Sequence, residues 1–207
     1  MPDLSDRTAR ENDLAAKLFA AFVALRKSIV SGSPDWSAFK DATQAAIVDS
    51  LSSTFAAAAS QLATMHGEGR GDQIDATSSA YAFGAGVANK LAVDATANTQ
   101  AALNEARGEV GAFADSYWLS RERANSIAIT ETTRAISAGE NFAAAALAVI
   151  LLRVVAWFWE TEEDDSVCSI CRPLNGQRDP AVEQPAHPGC RCRKRYDFSK
   201  PLFGAAA

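Results

Sequence analysis

Hydrophobic side chains recur at helical spacing through the first part of the chain. The first series runs at steps of four, four, three and four residues and consists of Leu14, Leu18, Phe22, Leu25 and Ile29. These positions share one face of a helix, which we expect to end at the Ser-Gly-Ser stretch of residues 31–33. Ser33 followed by Pro34 predicts the start of a second helix, with proline at its first position. The apolar face of that helix continues through Trp36, Phe39, Thr43, Ile47, Leu51, Phe55, Ala59 and Leu62.

Glycines separate the second helix from the third. Residues 67–71 read Gly-Glu-Gly-Arg-Gly, and because no Lys-Ser or Lys-Thr follows, they predict a surface turn rather than a phosphate-binding loop. A third helix is predicted from about Asp72 to Arg107. Gly84 and Gly86 weaken it, but small residues at these positions would also let two helices approach closely.

A longer apolar pattern begins near residue 140. A fourth helical segment is predicted from Glu109 to about Ala138. An 18-residue apolar run from Phe142 to Trp159 then follows, interrupted by Arg153. A membrane span needs about 20 apolar residues and tolerates a central arginine poorly. We therefore favour a buried helix that runs into a buried strand, and the β-branched and aromatic residues of 154–159 predict that strand.

Composition divides the chain into two parts. Of 43 alanines, 37 lie in the first 150 residues, whereas all four cysteines lie after residue 167 and no proline occurs between Pro34 and Pro173. Since alanine favours helix, we predict a mainly α fold, with a long alanine-rich helical body followed by a small α+β Cys/His module. The expected regions are a helical N-terminal region over 1–107, a region of helix, tryptophan strand and Cys/His module over 108–200, and a tail over 201–207.

The charge balance excludes one broad class of function. The net charge is −5, from 25 acidic residues against 20 Lys and Arg residues, which is unlike a wholly basic nucleic-acid binder. The N-terminus lacks a basic segment followed by an apolar one, so no secretory signal is expected.

Four thiols and one imidazole lie close together in the C-terminal part. Cys168 and Cys171 form a Cys-x-x-Cys pair. After fifteen intervening residues, His187 opens a His-Pro-Gly-Cys-Arg-Cys stretch that contains Cys190 and Cys192. Two thiolates on a tight turn and a second cluster across a short loop can complete the tetrahedron of soft ligands that suits zinc. Five candidates then compete for four places. One alternative is a metal-free core lined by thiols. The other is paired disulfides, which the absence of a secretory signal disfavours.

Several motifs follow one another in a characteristic order. They are IAITETTRAISAG over 127–139, the tryptophan strand, ETEEDDSVCSICRPLNGQ over 160–177 and HPGCRC over 187–192. In this order they resemble the signature of the Mu F-like phage head morphogenesis proteins, also called minor head or minor capsid proteins. The resemblance covers residues 121–195, about a third of the chain, and says little about residues 1–105. One departure is the lack of an aromatic residue between the Leu-x-Gly turn and His187.

The resemblance implies a function and a set of motif residues. It implies a minor structural protein of a tailed-phage head, assembled in the host cytoplasm and located in the virion. Such a protein acts in head morphogenesis with portal, capsid or scaffold proteins or with packaged DNA, and not with a membrane. The matching motif positions are Thr130, Glu131, Arg134, Asp165, Leu174, Gly176, Pro188 and Arg191, together with the five candidate metal ligands.

No catalytic residues are predicted, and we expect the chain not to be an enzyme. Glu131 and Arg134 lie three positions apart on one helix face and predict an ion pair. An active-site carboxylate would need a second carboxylate or a base, which the nearby sequence lacks. One alternative is a virion-delivered enzyme or toxin-related protein, which the short segment after Cys192 disfavours. The other is a zinc-dependent nucleic-acid-binding protein.

The basic end of the module supplies candidate phosphate contacts, for packaged DNA or for a nucleic-acid-binding function. These candidates are Arg191, Arg193, Lys194 and Arg195. Lys and Arg neutralise phosphates, but a solvated basic face is an equally good interpretation in an acidic chain.

Overall fold

The computed structural model describes residues 4–106, 109–161 and 167–202, which are mainly helical. The elements are α1 (Leu4–Val30), α2 (Trp36–His66), α3 (Thr77–Glu105), α4 (Val110–Ala114), α5 (Arg121–Leu151), β1 (Arg153–Glu160) and β2 (Arg193–Pro201). Short 3₁₀ turns form at Gly71–Gln73, Tyr117–Leu119 and Arg172–Leu174. The predicted fold class, mainly α with a small Cys/His module that includes strands, is confirmed.

The first two helices confirm the predicted faces and correct one boundary. α1 ends at Val30, and Gly32 just beyond it has a φ of 80°, a conformation that glycine adopts without strain. The second helix does not have Pro34 at its first position. It begins directly after Asp35, whose carboxylate accepts the amide of Ala38 at 2.9 Å, and this cap fixes the start of the helix.

The third helix also begins later than predicted. Residues 71–73 form a 3₁₀ turn, and α3 starts only at Thr77, where the Asp75 carboxylate accepts the Thr77 amide at 2.9 Å. A side chain that bonds the local backbone in this way competes with the helix. The helical pattern therefore does not extend back to Asp72.

The predicted fourth helix is two helices. α4 ends at Ala114, a 3₁₀ turn follows, and α5 begins at Arg121, where the Ser120 hydroxyl accepts the amide of Arg123 at 3.1 Å. α5 then continues to Leu151 instead of ending near Ala138. The alanine-rich apolar segment after residue 140 propagates the helix because it contains no breaking residue.

The helix-to-strand junction lies inside the long apolar run. α5 ends at Leu151, Leu152 has a φ of 50°, and β1 begins at Arg153. The predicted strand is confirmed, but it is less buried than expected, since only Ala156 and Trp159 of its eight residues are buried. Among the described helices, α5 alone is long and apolar enough to cross a membrane by length and composition, and part of it is buried in the structure.

The chain divides into two compact units. Among the described residues, unit 1 contains 4–52, 81–106 and 109–128, and unit 2 contains 53–80, 129–161 and 167–202. α2, α3 and α5 contribute residues to both units. The units are therefore not consecutive segments of the sequence.

Unit 1 has a core made of the predicted helix faces. Buried side chains from the first two helices include Leu14, Leu18, Phe22, Leu25, Ile29, Phe39, Ile47 and Leu51.

A buried cation also lies in this unit. The Arg123 guanidinium stacks over the rings of Phe22 and Trp118 at 5.4 and 4.7 Å and donates to the Thr99 hydroxyl at 3.0 Å. Burial lowers the pKa of Arg123, and the ring faces offset part of its lost hydration.

Unit 2 carries the sheet and the Cys/His module. β1 and β2 pair antiparallel, with Trp159 opposite Lys194 and an irregularity between Val154 and Ala156. The Asn141 side chain on α5 accepts hydrogen bonds from Lys194 at 2.9 Å and Tyr196 at 2.7 Å. These bonds attach β2 to α5.

Glycines let helices approach closely in each unit. In unit 1, a Cβ at Gly84 would meet Ser52 and lie 3.0 Å from the Val48 carbonyl oxygen, whereas a Cβ at Gly86 would meet nothing within 4 Å. The predicted close approach is therefore confirmed at Gly84 and wrong at Gly86. In unit 2, a Cβ at Gly139 would overlap the backbone oxygen of Phe55.

Gly139→Ala is expected to destabilise the protein, and Gly86→Ala is the matched control. The overlap at Gly139 involves rigid backbone, so overpacking should lower the free energy of unfolding by about 1–3 kcal/mol. At the exposed Gly86, the same change should stabilise the helix by about 0.5–1 kcal/mol. Urea unfolding of both variants measures the difference in their free energies of unfolding. Equal changes in the two variants would contradict the close approach at Gly139.

Candidate metal centre

The candidate ligands form two triads that share one cysteine. Cys168, Cys171 and His187 make the first, and Cys171, Cys190 and Cys192 make the second, with the ligand atoms of each triad within 4.8 Å of one another. The Nε2 atom of His187 lies 3.0 Å from Cys168 Sγ and 3.2 Å from Cys171 Sγ. The sulfurs of Cys171 and Cys190 are 3.8 Å apart. The structure therefore brings all five predicted ligands together, and these groups can hold a metal ion.

A tight turn presents the first two sulfurs. The Cys171 amide donates to Cys168 Sγ at 3.4 Å, and the Cys168 carbonyl accepts the amide of Arg172 at 3.0 Å. The hydrogen bond from the Cys171 amide is the main cause of the lowered pKa of the Cys168 thiol. Amide donors of this kind stabilise a thiolate, which is the form that binds a metal.

The loop that carries the imidazole is shaped by its own backbone. The Cys190 amide donates to the His187 carbonyl at 3.1 Å, and Gly189 between them has a φ of 77°. His187 Nδ1 lies 2.9 Å from the Pro188 carbonyl oxygen. Because a carbonyl can only accept, Nδ1 carries the proton in this contact. Nε2 faces the two sulfurs, and a ring whose other nitrogen donates to a carbonyl is the arrangement of a metal-binding histidine.

Two threonines of α5 hold this loop. The Thr130 hydroxyl accepts the amide of Gly189 at 2.9 Å, and the Thr133 hydroxyl donates to the Cys190 carbonyl at 2.5 Å. Thr130 was predicted as a motif position, whereas Thr133 was not predicted. The available signal was its spacing, because a residue three positions after Thr130 lies on the same helix face.

Strand β1 supplies the apolar wall of the site. Trp159 is 1% exposed and packs with Cys171, Cys190 and Cys192 in one buried cluster. Its backbone carbonyl accepts the amide of Gly176 at 2.7 Å, and Gly176 has a φ of 75°. The predicted Leu-x-Gly turn thus attaches the first cysteine turn to the strand, and glycine is required there by its backbone conformation.

The thiols differ in their electrostatic surroundings. A hydrogen bond from the Cys192 thiol, and further ones from the backbone amides of Ala186 and Cys192, lower the pKa of Cys190 to about 5. Burial raises the pKa of Cys171 to about 12. The pKa of Cys192 is raised, first by its hydrogen bond to Cys190 and then by burial. Without a metal, Cys190 therefore favours the thiolate, and Cys192 favours the protonated thiol.

The space between the ligands accommodates an ion. A cavity of about 170 Å³ opens among the candidate ligands, Ile129, Val167, Gly189 and Arg191. A tetrahedral zinc site, with bonds of about 2.3 Å to sulfur and about 2.0–2.1 Å to nitrogen, has edges of about 3.6–3.8 Å. The observed Cys171–Cys190 separation matches such an edge. All four cysteines are free thiols, so their arrangement fits a soft divalent cation.

Other predicted motif residues lie around the site rather than in it. Glu131 and Arg134 form the predicted ion pair within α5, and Glu131 is buried. Asp165 lies outside the described residues.

The candidate phosphate contacts do not form one basic patch. Neighbouring residues of a strand point to opposite faces, so Lys194 is separated from Arg193 and Arg195 on β2. Arg193 pairs with Glu160 at 2.6 Å, Lys194 lies 4.4 Å above the Trp157 ring, and Arg195 lies 4.6 Å above the Phe158 ring. Burial also lowers the pKa of Lys194. A role for these residues and the exposed Arg191 in phosphate binding stays a prediction.

Comparison with known proteins yields no matching protein family, no matching curated protein and no matching solved structure.

Thr133→Val is expected to loosen the His-Pro-Gly-Cys loop. The change keeps the side-chain shape but leaves the buried Cys190 carbonyl without its donor, which should cost about 1–3 kcal/mol. Thr96→Val is the control, since the Thr96 hydroxyl bonds only the Ala92 carbonyl of its own helix, at 2.7 Å. Hydrogen exchange of residues 186–192 measures the loosening. Equal exchange in wild type and Thr133→Val would show that the hydroxyl does not hold the loop.

Proposed function

We propose that this chain is a non-enzymatic minor structural protein of a tailed-phage head. In this role it acts in head morphogenesis with portal, capsid or scaffold proteins, and its Cys/His module is cross-linked by one zinc ion. The observation that carries the proposal is the meeting of separate motifs at one site. Thr130, from the Thr-Glu-x-x-Arg helix, bonds the His-Pro-Gly-Cys loop at Gly189, and Gly176 of the Leu-x-Gly turn bonds the tryptophan strand.

Zinc is the metal that the donor set favours. Thiolate and imidazole ligands in a tetrahedron suit zinc, and a site with four protein ligands leaves no position for a reacting water. The module also needs a cross-link, because its buried cluster consists of Trp159 and three cysteines. A segment that buries so little apolar surface gains much of its stability from a metal.

The chemistry of the site supports a structural role over an enzymatic one. The buried carboxylate of Glu131 is paired with Arg134 on the same helix, and an ion pair of this kind stabilises a helix rather than transferring protons. Arg193, Lys194 and Arg195 of β2 contact Glu160 and two aromatic rings instead of lining a common groove. These contacts disfavour the nucleic-acid-binding alternative, because strong phosphate binding uses several available cations together.

Mass spectrometry of particles tests the proposal. Procapsids and virions are purified by gradient centrifugation from cells that produce the phage encoding this chain, and peptides of the chain are quantified against the portal protein. We expect the chain in at least one particle type, at low copy number. If it is missing from both while other low-copy head proteins are detected, the head role is wrong.

A further inference from the structure

We propose that Lys194 and Asn141 form an intramolecular isopeptide bond, in which the lysine nitrogen replaces the side-chain nitrogen of the asparagine and ammonia is released. The bond joins strand β2 to helix α5 covalently, within unit 2. This inference depends neither on the zinc nor on the role in the phage head, so its test can fail without affecting either proposal.

The two reacting groups are in contact. Nζ of Lys194 donates a hydrogen bond to Oδ1 of Asn141 at 2.9 Å. Because a carbonyl bond is about 1.23 Å long, Nζ lies within about 4.1 Å of the carbon atom that it attacks. The terminal torsion of an asparagine is broad, so a small rotation of the amide turns this carbon towards the nitrogen. Holding two reactants together in this way replaces a bimolecular encounter and raises their effective concentration.

Aromatic side chains hold the lysine in place. Nζ of Lys194 lies 4.4 Å from the centroid of the Trp157 ring, and Trp157 is paired with Tyr196 across the sheet. Tyr196 is buried, and its ring lies 6.5 Å from that of Phe198. Attraction between the ammonium group and the tryptophan ring restrains the lysine side chain. The nitrogen therefore stays beside the Asn141 amide.

The carbonyl group of Asn141 is prepared for attack. The Tyr196 hydroxyl donates a hydrogen bond to Oδ1 of Asn141 at 2.7 Å. When the nitrogen adds to the carbon, negative charge develops on Oδ1, and a donor that is already in place stabilises this charge. Asn141 is also exposed, so the ammonia that leaves can diffuse into water.

A buried carboxylate supplies the base. Glu140 precedes Asn141 on α5 and is 4% exposed, and its charge acts on both Lys194 and Tyr196. A carboxylate in this position takes a proton from the lysine ammonium group, which leaves a neutral amine that can attack a carbonyl carbon.

The atoms balance without a further reactant. Nζ of Lys194 bonds to Cγ of Asn141, and the bond between Cγ and Nδ2 breaks. Of the three protons on the lysine ammonium group, one stays on the new amide and two leave with the asparagine nitrogen as ammonium. Glu140 carries protons between the two nitrogens. Nothing is oxidised or reduced.

Intact mass spectrometry of the purified full-length protein under denaturing conditions tests the proposal. We expect a mass that is lower than the mass of the sequence by one molecule of ammonia. Trypsin does not cleave after a modified lysine. It should therefore release a branched peptide in which residues 135–153 are joined through Asn141 to residues 194–195.

Two variants separate this bond from other losses of ammonia. Asn175 precedes Gly176, and such a pair can also lose ammonia by cyclising on its own backbone. Lys194→Arg keeps the positive charge but cannot form the bond, so we expect the full mass. Lys200→Arg changes an exposed lysine on the same strand and should lose ammonia as the wild type does.

Glu140→Gln tests the role of the carboxylate. Removing a general base slows such reactions about 10²–10⁴-fold, so this variant should keep its full mass, and bond formation equal to that of the wild type would overturn the role of Glu140. The wild-type mass and the branched peptide need no variant, so they decide the proposal even if Glu140→Gln does not fold. A wild-type protein of full mass, or a loss of ammonia that persists in Lys194→Arg, would overturn the isopeptide bond.

Discussion

Cys171→Ser is expected to reduce the zinc content of the purified protein from about one per chain to near zero. Cys171 is the shared member of both triads, and its sulfur contacts both His187 and Cys190. Its loss therefore removes one ligand from both triads at once. Structural zinc in small domains contributes about 10–16 kcal/mol of apparent binding free energy at pH 7, so the module should lose its ordered structure.

The measurement combines elemental analysis, limited proteolysis and circular dichroism. We expect cleavage between residues 167 and 192 in Cys171→Ser and in wild type treated with a chelator, while the helical signal stays close to that of untreated wild type. Ser169→Ala, at an exposed position in the same turn, is the control and should keep its zinc. If Cys171→Ser stays protease-resistant, the thiols only pack together and no metal stabilises the module.

Trp159→Ala is expected to cost about 3–5 kcal/mol of stability, because it opens a cavity where a large buried side chain is removed. Trp159 is the largest fully buried side chain of the described residues and lies against three cysteines. Removing it should let water reach the sulfurs and loosen their positions, so zinc affinity should fall as well.

Trp157→Ala is the matched control for this change. Trp157 is on the same strand but only half-buried. It packs against the outside of the Trp159 cluster, and its ring lies under Lys194. We expect less than half of the stability loss seen for Trp159→Ala, with little change in zinc affinity. Urea unfolding measures the loss of stability, and competition with a chromogenic chelator measures the zinc affinity. An equal loss from both variants would show that the strand, rather than the cluster around Trp159, supports the site.

The helical part of the molecule could be predicted because its signals are local. The apolar face from Leu14 to Ile29 recurs at helical spacing, and these residues are buried as expected. Boundaries were harder to predict. Asp35 caps α2, and Asp75 bonds the backbone just before α3. Both helices therefore begin later than other signals placed them, since such bonds depend on the conformation that the backbone adopts at that residue.

The sequence alone predicts the kind of chemistry, because thiol and imidazole groups keep their ligand preferences in any fold. It named five candidate ligands but could not choose among them, and only the tertiary structure placed Cys171 in both triads. The same limit applies to Thr133, Lys194 and Gly139, whose partners are the Cys190 carbonyl, the Trp157 ring and the Phe55 backbone. Each of these partners is distant along the chain. Contacts of this kind leave no periodic or local signal, because they arise only when packing brings separate segments together.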